Sequence, residues 1–178
     1  MSFGAPLVLL GLVGCLLWRT GLIGLDTIRV FGKPGAQWWR LLTAPFVYDN
    51  TGFAIVTLGT IGLYGTLMEH RHGPLPVLAL VALGGIGGIA ATVAVYPEPI
   101  VLGANGGALA LLVAWAIPDL LSLRAGEEIE GDLLGTAVIA AVVAVMPLVV
   151  ADASWVADGV GVLAGAAVGL PLARIVER

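Results

Sequence analysis

Asp158-Gly159-Val160-Gly161-Val162-Leu163-Ala164-Gly165-Ala166-Ala167-Val168-Gly169 runs through the last apolar stretch of the chain, and Gly103-Ala104-Asn105-Gly106-Gly107 opens another. Gly161, Gly165 and Gly169 recur at every fourth position, so in a helix they line one face, and Asp158 falls on the same face. Small residues at this spacing let two helix backbones approach closely inside lipid. Gly103, Gly106 and Gly107 offer a second surface of this kind. The pattern predicts that the two helices touch, with Asn105 and Asp158 near the contact. Packing of small residues alone would require neither polar side chain.

The rest of the chain sets these segments in a membrane. Its 178 residues are 59% hydrophobic and 11% charged, with a mean hydropathy of +1.04. Such a composition belongs to a polytopic membrane protein and excludes a soluble globular domain. A helix needs about 20 mostly apolar residues to cross the bilayer core. Six stretches meet that description, at residues 5–22, 51–68, 75–96, 102–121, 133–150 and 155–175. They predict a single six-helix transmembrane domain over residues 1–178. The first stretch lacks a preceding basic residue and a small-x-small cleavage site, so it reads as a transmembrane helix rather than a signal peptide.

Cys15 is the only cysteine, which excludes an intrachain disulfide, and it reads as an apolar packing residue. The net charge is −4. Lys33 is the only lysine, and Glu127, Glu128, Glu130 and Asp132 crowd one loop. There is no basic run to bind nucleic acid. Low lysine with abundant Ala, Gly and Val suits a prokaryotic source. His70-x-His72 is too short for a metal site and no cluster of ligands accompanies it, so neither metal nor cofactor is expected.

Between the first two apolar stretches, residues 25–50 are too polar to span. They hold Asp26, Arg29, Lys33, Trp38, Trp39, Arg40, Tyr48 and Asp49. Aromatic residues of this kind settle at the headgroup level, with a ring in lipid and a polar edge in water. The segment reads equally well as an ordinary interfacial loop or as a dedicated membrane-embedded element.

Taken in order, these motifs resemble the rhomboid intramembrane proteases. Trp39-Arg40-Leu41-Leu42 is similar to the Trp-Arg hairpin that follows the first rhomboid helix. Gly65-Thr66-Leu67-Met68-Glu69 is similar to the Gly-x-x-x-Glu end of the second. Gly103 and Gly106 frame a position that holds serine in the family, and here it is Asn105. Gly161 and Gly165 follow a position that holds histidine in the family, and here it is Asp158. The resemblance implies a six-helix rhomboid-like bundle with both termini in the cytoplasm. Basic residues decide orientation poorly, since Arg71, Arg124, Arg174 and Arg178 on one side face Arg29, Lys33 and Arg40 on the other, with Arg19 near the end of the first helix.

The resemblance also implies two oxyanion donors on the second helix, and counting back from Glu69 places Phe53 and Thr57 there. Serine proteolysis needs a nucleophile and a base within hydrogen-bond reach. The three serines are Ser2, Ser122 and Ser154, and the histidines His70 and His72 belong to a different turn from the degenerate dyad. The expectation is an inactive rhomboid-like protein that binds lipids and the transmembrane segments of client proteins. The glycines Gly59, Gly62 and Gly65 and the loosened end of the fifth helix at Pro147 suggest where a client helix docks.

Two other functions stay open: a small transporter using Asp158 as an intramembrane ion or proton site, and a peptidase with residual activity. A carboxylate inside a span is costly unless paired or set in a wet cavity. Asn105 carries both a donor and an acceptor, so the two side chains form either a structural pair or a functional polar site. A later start of the sixth helix would instead leave Asp158 as an interfacial residue favoured by the helix dipole.

Overall fold

The computed structural model describes residues 4–129 and 131–176, so Ser2, Glu130 and Arg178 lie outside the described residues. The protein is an all-α membrane protein. Four helices are long and apolar enough to cross a membrane: Thr51–His72, Pro74–Val95, Asn105–Ala125 and Trp155–Arg174. Two further apolar helices, Gly4–Arg19 and Leu133–Val149, are shorter. Sixteen residues rise only about 24 Å, less than the ~30 Å hydrocarbon core. All six apolar stretches are thus helical in the expected order, but only four reach spanning length.

We label the helices α1 (Gly4–Arg19), α2 (Leu25–Ile28), α3 (Arg40–Thr43), α4 (Thr51–His72), α5 (Pro74–Val81), α6 (Gly87–Val95), α7 (Asn105–Ala125), α8 (Leu133–Ala144), α9 (Met146–Val149) and α10 (Trp155–Val176). A π-helical turn, Ala82–Ile86, joins α5 to α6. Asn50 caps α4 by accepting from the Phe53 amide at 3.1 Å. Asp132 caps α8 by accepting from the Gly135 amide at 2.8 Å. α7 ends at Gly126, whose φ of 76° is the left-handed C-cap that glycine adopts without strain. The fifth apolar stretch breaks at Val145 and restarts as α9 with Pro147 in its first turn.

α7 is the centre of the bundle. Every residue from Asn105 to Leu112 is buried. α10 packs along its length, with Gly161 against the Gly106 backbone, Gly165 against Ala110 and Val113, and Gly169 against Ala114 and Ile117. The π-turn brings Gly84 onto Gly106 from the other side. α8 is peripheral, burying only Thr136 and Val143. The outside is apolar, with Leu9, Leu16, Ile55, Leu63 and Leu163 exposed, as a lipid-facing surface requires.

Residues 25–50 are more ordered than a tether. Val30–Phe31 and Ile100–Val101 form a small antiparallel pair, β1 and β2, with Val30 opposite Val101. This pairing was not expected from the sequence: two residues per strand leave no period to read. The segment is held again where the Gly103 amide donates to the Ala44 carbonyl at 2.9 Å. The start of α7 is therefore fixed by backbone bonds from the interfacial segment.

Candidate functional site

The first turn of α7 carries Asn105 and the first turn of α10 carries Asp158. The glycine faces bring these turns together. A Cβ on Gly106 would run into the carbonyl oxygens of Ala157 and Gly84, and one on Gly161 would meet the Gly106 carbonyl. With the backbones that close, Asn105 Nδ2 donates to Asp158 Oδ1 at 2.6 Å. The same nitrogen donates to the Val143 carbonyl of α8 at 3.0 Å. From α4, the Thr57 hydroxyl approaches Asn105 Oδ1 at 3.5 Å. One amide therefore joins α4, α7, α8 and α10.

All of this is dry. Asn105 is 2% exposed, Asp158 5% and Thr57 0%. The second carboxyl oxygen of Asp158, Oδ2, is buried without a hydrogen-bond partner among the described residues. Phe53 is also buried and meets Tyr48 edge-on, with ring centroids 5.2 Å apart. Both rings fill the space beside Gly103, whose φ of 78° is left-handed, and a Cβ there would fall 2.7 Å from Phe53. The Tyr48 hydroxyl accepts from the Ala104 amide at 3.2 Å. Burial pushes the Tyr48 phenol above its usual range, so the hydroxyl stays neutral.

The remaining sequence candidates lie elsewhere. Arg40 Nη1 donates to the Arg29 carbonyl at 3.2 Å, and its guanidinium sits 5.8 Å from the ring centroid of Trp39. That contact shapes the interfacial segment. Glu69, at the far end of α4, accepts from the Gly4 amide at 3.2 Å and ties α1 to α4. Ser122 lines a pocket of about 480 Å³ with Arg71, Trp115, Asp119 and Glu128. Among the described residues no hydrogen bond joins it to His70 or His72. Ser154 bonds the Thr92 hydroxyl at 2.8 Å and accepts from the Ala157 amide at 3.4 Å. Among the described residues neither serine side chain hydrogen-bonds the Asn105 or Asp158 side chain.

A family model described as the Rhomboid domain matches residues 35–175. The chain belongs to the rhomboid family. A search of curated proteins finds no match. Rhomboid-family proteins are serine protease-like, and in this rhomboid-family chain the match runs from residue 35, within the interfacial segment, through α3 to residue 175 in α10.

Several residues at the centre were not legible in the sequence. Val143 contributes a backbone carbonyl, which no residue type announces. Tyr48 reads as an interfacial anchor, yet it is fully buried against the start of α7. Asp152 reads as a helix-end residue, yet it is 4% exposed, and its backbone carbonyl accepts from the Leu102 amide at 3.0 Å. Of the docking glycines on α4, Gly62 faces Val8 of α1 and Gly65 faces Gly4, Val77 and Leu111, so only Gly59 has open space beside it. Because α1 and α5 flank α4, they take up the face that the spacing offered to a client.

Proposed function

We propose that this protein is a rhomboid-family pseudoprotease that holds transmembrane segments of client proteins without cleaving them. The reading treats residues 1–178 as one domain in a prokaryotic plasma membrane with both termini cytoplasmic. Its chief support is the Asn105 amide. Asn105 stands where the family resemblance puts the nucleophile, and both its donor bonds are already used on Val143 and Asp158. An amide nitrogen is a poor nucleophile, because its lone pair is delocalised into the carbonyl. A carboxylate in the histidine position accepts hydrogen bonds but does not present an imidazole base. Phe53 and Thr57, at the positions where the resemblance implies oxyanion donors, supply a hydrocarbon ring and a hydroxyl turned to Asn105.

The purified protein in proteoliposomes should leave a transmembrane rhomboid substrate intact and take no fluorophosphonate label. Labelling abolished by Ser154→Ala or Ser122→Ala would refute inactivity and establish the residual-peptidase reading. Asn105→Ser combined with Asp158→His should restore little cleavage, because one missing oxyanion donor alone costs on the order of a hundred- to thousandfold in rate.

A second reading, transport with Asp158 as an ion or proton site, rests on the buried Oδ2 that lacks a partner. It is distinguished by Asp158→Asn, which removes the charge and keeps the hydrogen bond.

A further inference from the structure

α1 and α4 enclose a groove of about 390 Å³ that lies apart from the Asn105–Asp158 centre. From α1 it is lined by Val8, Leu12, Cys15 and Arg19. From α4 it is lined by Thr51, Ile55, Leu58 and Gly62, with Gly59 among them. Both sets step by four, three and four residues. That is the spacing of a coiled-coil seam, which keeps one stripe of a helix turned toward a partner helix. The two stripes run antiparallel. Gly4 meets Gly65 and Thr66 at one end, and Arg19 Nη2 donates to the Thr51 hydroxyl at 2.6 Å at the other.

α1 and α4 do not use up this seam on each other. They meet where Gly11 lies against Leu58 and Gly62 against Val8, whereas Leu12, Ile55 and Gly59 stay exposed along it. A Cβ on Gly59 would meet nothing within 4 Å. The groove is therefore open to lipid and has a recess at Gly59. One end of it is charged. Arg19 is exposed, and its guanidinium is fixed by Thr51 and by the Trp18 ring, 5.4 Å from the centroid. Among the described residues no carboxylate forms an ion pair with it. A positioned cation at the end of an apolar groove favours an occupant with an anion at the same level.

We propose that the α1–α4 groove takes a transmembrane helix of a client protein, one that carries an Asp or Glu at the Arg19 end and a bulky apolar side chain over Gly59. The proposal rests on the reading of this protein as a holder of client helices and names the chemistry of the client. The paired seams favour a helix over an acyl chain, because a chain has no period to match them. Thr51 and Gly59 are eight positions apart on α4, a rise of about 12 Å. The client's carboxylate and its bulky residue should be separated by about the same rise, roughly eight helical residues.

A synthetic leucine-rich transmembrane peptide of about 20 residues tests this against the full-length protein in phosphatidylcholine vesicles at neutral pH. It carries Phe near its centre and Glu about eight residues away, and binding is read by energy transfer. The wild type should bind the Glu peptide about fivefold more tightly than a Gln version, the upper end for an exposed ion pair. Arg19→Gln should erase that preference, and Arg19→Glu should transfer it to a Lys version. Gly59→Leu fills the recess and should weaken every version. Equal binding of the Glu and Gln peptides to the wild type overturns the proposal. So does binding that Gly59→Leu leaves unchanged, or vesicles in which lipid alone occupies the groove and no peptide binds. Mass analysis of the peptide separates this from the reading beneath it. A bound peptide that is cleaved refutes the pseudoprotease reading, whereas an intact peptide bound without charge preference refutes only the groove's selectivity.

Discussion

Removing the amide at the centre of the bundle gives the sharpest energetic prediction. Asn105→Ala deletes the bonds to Asp158 Oδ1 and to the Val143 carbonyl, together with the long 3.5 Å contact from the Thr57 hydroxyl. Interhelical hydrogen bonds in membranes average about 0.6 kcal/mol, so two lost bonds set a floor near 1 kcal/mol. The substitution also strands Asp158. Among the described residues its Oδ2 already lacks a partner, and losing the partner of Oδ1 leaves a carboxyl at 5% exposure without a side-chain hydrogen bond. An orphaned buried polar group adds about 1–3 kcal/mol. The expected destabilisation is therefore about 2–4 kcal/mol. Asp158→Ala made on top of it removes the stranded group and should restore part of the loss. A double-mutant cycle measured by reversible unfolding in bicelles should give a coupling of about 1–2 kcal/mol. Additivity within about 0.3 kcal/mol would mean that the two side chains do not stabilise each other and would refute the reasoning.

Two substitutions at Asp158 separate structure from charge. Asp158→Asn keeps a hydrogen-bonding partner for Asn105 and should leave thermal unfolding within about 1 kcal/mol of the wild type; lost function with intact folding would favour the transport reading. Asp158→Leu should destabilise by about 1–3 kcal/mol in the same assay, because it removes the partner and adds bulk where Gly161 meets Gly106.

Helical content, membrane residence and the α7–α10 contact are legible in the sequence, because each depends on a period that repeats. Glycines four apart specify a helix face, and a face that lacks side chains specifies a close neighbour. Features that depend on a single bond escape this kind of reading. The β1–β2 pair involves two residues per strand. The break at Val145 shortens the fifth apolar stretch, although Pro147 signals that something happens there. Gly62 and Gly65 show that a small-residue face does not say which neighbour fills it. Asp152 shows that a carboxylate near a helix end is not necessarily solvated: the fold leaves it only 4% exposed. The Asn105–Asp158 bond followed from the glycine ladders, but the two further partners of Asn105 depended on where α4 and α8 pack.

Burial also decides where a client helix is to be sought. Thr57 and Ile61 of α4 and Val143 of α8 are all within the bundle at 0–2% exposure. Gly59 of α4 and Val138 and Val142 of α8 are exposed instead.

The most direct measurement places photocrosslinking side chains at Gly59, Val138 and Val142 in native membranes and determines the mass of each crosslinked partner. The account predicts adducts at these exposed positions to a transmembrane protein of full, uncleaved length, and none at the buried Thr57 and Ile61. Adducts only to lipid or to the chain itself, or partners recovered as fragments cut within their membrane segment, would contradict it.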